Sequence, residues 1–215
     1  MNDTKNIDWN MVNAIERAFG EDNERMLRNK TYILIEDAGI LDIPADAIVN
    51  AANSALQEGG GVCGIIFRRA GSEELQKACD KIGHCDEGSA VITPAFNCPA
   101  KFIIHAVGPY WIDGMHGEKD KLYGAYKKSL ELCKENDLHS VVFPLISAGI
   151  FGYPIYDAWC QAIYACKNFI NSNPDFKIHI IFTIPTNPKV DRDGKKKFDT
   201  GNEVLGKESP NIKFL

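Results

Sequence analysis

Apolar positions along the chain follow two periods that take turns. Tyr32 to Glu36 reads as a strand, and Ala47-Ile48-Val49 is a short apolar run of the buried-strand type. Val62 to Ala70 changes to helical spacing. A second helix begins with Ser72 as N-cap, carries Glu73 and Glu74 in its first turn, buries Leu75, Ala78, Cys79 and Ile82, and closes at Gly83. Ala90 to Thr93 is a short strand. Phe102 to Val107 is almost continuously apolar, the mark of a central strand covered on both faces. Lys121 to Lys134 is amphipathic, with Leu122, Tyr126, Leu130 and Cys133 inward. Val141 to Ile146 reads as another buried strand, a helix runs from Pro154 to about Ile170, and Ile178 to Thr183 is a last strand. Strands alternating with helices predict an α/β fold, a largely parallel sheet with helices on both faces.

The same pattern predicts the flanks. Ile7, Met11, Ala14, Ile15, Ala18 and Phe19 fall at helical spacing, so residues 1–30 are expected to form an N-terminal helical extension. The main domain is expected over residues 31–185. Beyond Pro185 the chain turns polar and lysine-rich without periodicity, and 186–215 is expected to be an irregular tail pinned by Phe198, Val204 and Phe214.

Between these elements lie two glycine-bearing loops. Asn50 to Gln57 is small and polar, and Gly59-Gly60-Gly61 then leads into the helix at Val62. Ser147-Ala148-Gly149-Ile150-Phe151-Gly152-Tyr153-Pro154 follows the strand at 141–146. Glycines let the backbone approach an anion closely, and a helix N-terminus adds positive potential. No GxxxxGK[ST] motif is present and no GxGxxG follows a strand, which argues against a Walker A loop and a dinucleotide fingerprint. Either loop alone is equally a tight turn. Both together, at the carboxyl ends of strands and facing one crevice, suit a diphosphate, with Phe151 to cover a sugar or base.

Composition narrows the partners. The chain has 215 residues, is 45% hydrophobic and carries a net charge of -5, a balance that argues against a nucleic-acid backbone as the main partner. No run is long and apolar enough to span a bilayer, and the polar N-terminus has no signal-peptide core, so a cytoplasmic location is expected. The seven cysteines are odd in number, lack a CxxC pair and sit mostly in apolar segments, as reduced core thiols do. His84-Cys85 has no second pair at ligand spacing, and neither a metal nor a cofactor is expected. His105, inside an apolar run, reads as a hydrogen-bonded core histidine.

DAIVNAAN, GGGV, CDEGSAVIT, CPAKFIIHAVGPYW and ISAGIFGYP, in that order from Tyr32 to Thr183, resemble the successive signatures of a macrodomain. The resemblance implies a three-layer α/β/α fold with a mixed, roughly six-stranded sheet. It implies binding of ADP-ribose and, in many members, removal of ADP-ribose from acidic side chains or of acetyl from O-acetyl-ADP-ribose. Matched position by position, Ala52, Asn53, Gly60, Gly61 and Val62 surround the proximal ribose and diphosphate. Ser147, Ala148, Gly149 and Ile150 supply the second loop, with Phe151 against a ribose, and the backbone at Ile40 contacts adenine.

Several positions depart from the family pattern. Gly39 stands where members usually carry an adenine-binding aspartate, with Asp37 the nearby substitute. Cys63 and Phe67 replace the aspartate and histidine of the fullest hydrolytic motif. Neither a final aromatic nor a C-terminal helix is evident after Thr183. Asn53 remains the candidate to orient the ribose or a water. Cys63 is either a nucleophile activated by a helix N-terminus or a small apolar filler. Glu58 is either a surface residue or the replacement carboxylate, and Arg68 and Arg69 either steer an anion or lie solvated at a helix end. The chain is thus expected to bind ADP-ribose or an ADP-ribosylated protein and to hydrolyse such esters or O-acetyl-ADP-ribose. The alternative is a non-catalytic ADP-ribose reader.

Overall fold

A computed structural model describes residues 31–208. The helical extension expected over 1–30 and the pinning residue Phe214 lie outside the described residues. In chain order the elements are β1 (Tyr32–Glu36), β2 (Ala45–Ala51), α1 (Gly61–Ala70), α2 (Ser72–Ile82), β3 (Ser89–Pro94), β4 (Ala100–Val107), α3 (Glu118–Glu135), β5 (Ser140–Phe143), α4 (Ile155–Ser172), β6 (His179–Thr183) and α5 (Gly194–Glu208).

The six strands form one sheet in the order β1-β6-β5-β2-β4-β3. Only β3 runs antiparallel to its neighbour, so the sheet is mixed. Alternation along the strands sends side chains into two cores. Ala47, Val49, Ile104, Ala106, Val141, Phe143, Ile180 and Phe182 meet α3, α4 and α5 through Leu122, Tyr126, Trp159, Ile163, Val204 and Leu205. Ile48, Ile103, Val107, Val142 and Ile181 point the other way, onto Cys63, Ile66, Phe67, Leu75 and Cys79 of α1 and α2. These are the three layers that the resemblance implies.

Four local features differ from the sequence expectation. Strand β2 continues through Asn50 and Ala51, because Asn50 pairs in register with His105 on β4 rather than opening the loop. Strand β5 stops at Phe143, since Pro144 has no N–H for the ladder. The Tyr126 hydroxyl takes over there, accepting from the Ile146 amide at 2.8 Å and donating to the Pro144 carbonyl at 3.5 Å. Ser72 is the first residue of α2 rather than its cap, a place held by Gly71 with φ of 105°.

The fourth difference is the largest. Residues 194–208 form a helix, not an irregular tail. Its buried stripe is Lys197, Gly201, Val204 and Leu205, with Phe198 partly buried beside it. A lysine and a glycine in that stripe hide the helical period from a hydropathy reading. Gly201 is required, because a Cβ there would lie 2.5 Å from the Trp159 ring. The Trp159 Nε1 donates to the Lys197 carbonyl at 2.7 Å and ties α5 to α4.

Candidate functional site

Strand order fixes the layout of the site. The segments after β1 and β6 are neighbours at one edge, those after β5 and β2 stand in the middle, and that after β4 lies beyond. All five strands are mutually parallel, so these segments share one end of the sheet, where ligands of such sheets bind. A cleft of about 700 Å³ runs along that end. It has the size of a small-molecule site.

In the middle stands the first glycine loop. Ala52, Asn53, Gly60, Gly61, Val62 and Cys63 all line the cleft. The Ala52 amide donates to the Ala106 carbonyl at 2.9 Å. The Asn53 amide closes a ring with the Gln57 backbone, Nδ2 donating to its carbonyl at 2.8 Å and Oδ1 accepting from its N–H at 3.1 Å. Gln76 of α2 braces the loop, accepting from the Glu58 amide at 3.0 Å and donating to the Leu56 carbonyl at 3.3 Å. Gly61, with φ of 60°, opens α1, whose first-turn N–H groups have no intrahelical acceptor. Glu58 is exposed and is not among the lining residues, so its carboxylate is not brought to the cleft.

The second loop faces the first closely. A Cβ on Gly60 would lie 3.4 Å from Ile150 Cδ1. Ser147, Gly149, Ile150 and Phe151 line the cleft, whereas Ala148 is turned into the core. Ser147 has φ of 63°, a left-handed conformation that costs a non-glycine residue energy, and its buried Oγ has no hydrogen-bond partner. Internal bonds run from Gly152 N–H to the Gly149 carbonyl and from Tyr153 N–H to the Ser147 carbonyl, both at 3.0 Å. Among the described residues, the amides of Gly149, Ile150 and Phe151 have no backbone acceptor. Three adjacent free N–H groups on a tight turn form a cradle for an anion. Phe151 stacks on Tyr110, centroids 3.9 Å apart, so an aromatic wall continues toward the end after β4.

Under the first loop lies a buried polar chain. Asn50 Nδ2 donates to His105 Nδ1 at 3.2 Å and lies 3.6 Å from Cys63 Sγ. With Nδ1 accepting, the ring proton sits on Nε2, which donates to Thr93 Oγ1 at 2.9 Å. Burial lowers the His105 pKa to about 4, so the ring is neutral at pH 7. Phe67 sets its edge against this imidazole, with centroids 6.4 Å apart. At Cys63, burial pushes the thiol up, and hydrogen bonds from Asn50 and the Gly59 backbone do not offset it. Cys63 packs as a small apolar residue in the core beneath the loop. Arg68 and Arg69 lie exposed in the last turn of α1 and are not among the lining residues.

The end after β1 and β6 is built differently. Ile40 lines it, but Asp37 does not. The Asp37 carboxylate accepts both the hydroxyl and, at 2.8 Å, the amide of Thr186, which hold its pKa below the usual range. The acids that do line the cleft are Asp42 and Asp191. Asp42 Oδ2 accepts from the Gly39 amide at 2.7 Å. Asp191 pairs with Lys197 at 2.7 Å, and that lysine is only 7% exposed. None of Asp42, Asp191 and Lys197 is flagged by sequence reasoning. Tyr110, just beyond Gly108-Pro109, was reachable from the rule that strand ends carry sites.

Past Tyr110 the segment 112–117 is anchored by the buried carboxylate of Glu118. Its Oε1 accepts the amides of Ile112, Asp113 and Gly114, and its Oε2 accepts that of His116 at 2.6 Å. Burial raises its pKa, but these N–H groups outweigh that and bring it down to about 2. Asp113, His116 and Glu118 come within 4.8 Å of one another. The hydrogen bonds already made by Glu118 account for that trio as a loop anchor.

Residues 49–162 match the family model described as Macro domain. An O-acetyl-ADP-ribose deacetylase of Escherichia fergusonii is 46% identical over 145 residues, 66% of this chain and 81% of that protein. An uncharacterised protein of Fusobacterium nucleatum is 44% identical over 146 residues, covering 67% and 83%. Among solved structures, the Oceanobacillus iheyensis macrodomain with ADP superposes with a TM-score of 0.73 at 32% identity, over 84% of this chain and 93% of that one. The Trypanosoma brucei macrodomain in complex with ADP-ribose gives 0.72 at 28% identity, over 86% and 73%.

Proposed function

This chain belongs to the macrodomain family, and from that premise we propose that it binds ADP-ribose and hydrolyses ADP-ribosyl esters on acidic residues or O-acetyl-ADP-ribose. The observation that carries the reading is the opposition of two loops, one opening a helix and one with three unspent amides, across a cleft of nucleotide size. The diphosphate would lie between them without a lysine or metal. The nucleoside would extend toward Ile40, and the ester-bearing proximal ribose toward Asn53, Phe151 and Tyr110.

Hydrolysis then needs a placed water. In O-acetyl-ADP-ribose, water oxygen bonds to the acetyl carbon, the acyl–oxygen bond breaks, the ribose oxygen takes a proton and acetate leaves. Asn53 is the side chain in reach of that end, and its second Nδ2 hydrogen is unspent by the ring with Gln57. The acids lining the cleft stand at the opposite end, so the bound diphosphate itself is the nearest anion to hold the water. Turnover is accordingly expected to be slower than in relatives with a loop aspartate.

The protonated Cys63, the remote Glu58 and the engaged Asn53 amide favour a second reading, a binding module without turnover. Calorimetry with ADP-ribose tests the site, and absence of heat from folded protein would sink both readings. Release of ADP-ribose from a glutamate-modified protein, or of acetate from O-acetyl-ADP-ribose, separates them. An enzyme should lose about 100-fold in rate with Asn53→Ala while still binding; binding with no release marks a reader.

A further inference from the structure

At the end of the cleft formed after β1 and β6, the wall is supplied by Ile184, Pro185, Val190, Asp191 and Lys197. This wall lies beyond residues 49–162, the part of the chain that matches the family model. Lys197 is the only lysine or arginine among the lining residues, and it is almost fully buried. Its ammonium has one side-chain partner, Asp191 Oδ2 at 2.7 Å, out of three possible donations. Asp191 Oδ1 accepts the Asp193 amide at 3.0 Å, and each carboxylate oxygen can accept a second bond.

An ion pair that buries its lysine is a poor device for stability, because desolvation offsets the attraction. Helix α5 is already fixed by the Trp159–Lys197 carbonyl bond and by the contact of Gly201 with the indole. The segment that carries Asp191 is fixed by Thr186 on Asp37. An acceptor and a donor side by side, facing a cleft whose other walls here are Ile40, Ile184 and Val190, call for a flat apolar group with a polar edge. The alternative acid, Asp42, is exposed and has no cation beside it to donate to a ring nitrogen.

We propose that the Asp191–Lys197 pair reads the hydrogen-bonding edge of the nucleobase, and so sets base specificity from the C-terminal helix. The carboxylate accepts from the exocyclic amine of adenine, and the ammonium donates to the adjacent ring nitrogen. Hypoxanthine presents the reverse order, a carbonyl beside a ring N–H, and opposes acceptor to acceptor and donor to donor. The inference rests on ADP-ribose being the ligand of the cleft.

The test is calorimetry on the full chain with ADP-ribose and its hypoxanthine counterpart. Wild type is expected to prefer ADP-ribose by about tenfold to a hundredfold. Asp191→Asn, near-isosteric and on a partly exposed residue, and Lys197→Met should bring the two ligands close to parity, by weakening ADP-ribose and by relieving the opposition to the hypoxanthine ligand. Damage to the wall alone would weaken both ligands together and keep the ratio. Parity in wild type, a retained ratio in the folded variants, or loss of the ratio only with Asp42→Asn would each overturn the proposal. The wild-type ratio and Asp191→Asn decide the matter even where Lys197→Met does not fold. Binding of neither ligand by wild type overturns the ADP-ribose reading itself, and this inference with it.

Discussion

The loop after β2 is held by side chains. Asn53 clasps Gln57, Gln76 spans Leu56 and Glu58, and a buried chain from Asn50 to His105 lies beneath. The loop after β5 is held by its backbone: a left-handed Ser147, two internal turns and a tyrosine hydroxyl on Ile146. The first loop therefore takes its shape from residues on α2 and β4, and it can carry a side chain such as Asn53 toward the ligand. The second spends conformational strain instead, and leaves its amides free for an anion. One loop is suited to orient, the other to grip.

Three substitutions or conditions probe that contrast. The largest effect is expected from Gly64→Val, since a Cβ there would lie 2.6 Å from the Gly59 carbonyl oxygen. The first loop would be levered off α1. Binding of ADP-ribose, followed by calorimetry, should fall by more than about 100-fold, and stability by about 1–3 kcal/mol. Wild-type affinity in this variant would show that the first loop contributes no grip.

A mid-sized effect should follow pH. His105 has a folded pKa of about 4 against an ordinary value of about 6.5, so the unfolded chain binds the extra proton between them. Stability is therefore full above pH 6.5 and drains away as pH falls toward 4, by on the order of 3 kcal/mol. Denaturant melts across that window should show the slope in wild type and a flatter one in His105→Phe. Equal slopes would mean that the buried chain under the first loop does not sense protons.

The smallest effect belongs to Ser147→Gly. Removing the left-handed strain and the orphan hydroxyl is offset by glycine's greater chain entropy, which leaves a gain of about 0.5 kcal/mol. The looser loop should bind ADP-ribose a few-fold more weakly. A tighter complex would contradict a grip that relies on pre-set backbone.

Much of this was legible in the residues. The near-continuous run at 102–107 gave away a central strand, and the two glycine loops announced themselves at strand ends. Asn50 misled because a polar residue reads as loop until its partner across the sheet is known, here His105. The end after β1 and β6 was the least legible. Asp37 is closer in sequence to Gly39, but a hydrogen bond to a residue 149 positions away turns it from the cleft. Lys197 sits in a stripe that only tertiary packing against Trp159 makes helical.

The pairing of β1 with β6 has a consequence for the order of assembly. The bond from Ile178 N–H to Thr31 spans 147 residues, and the strut from Thr186 to Asp37 spans 149. During synthesis the segments after β2, β4 and β5 can pack while β1 still waits, an unpaired strand exposed to wrong partners. The two glycine loops thus exist long before the wall after β6 and its helix can dock. A nascent chain reaches a finished pocket only once β6 and α5 are made, and a nucleotide that favours the finished pocket acts as a late lock on the fold rather than as a template for it.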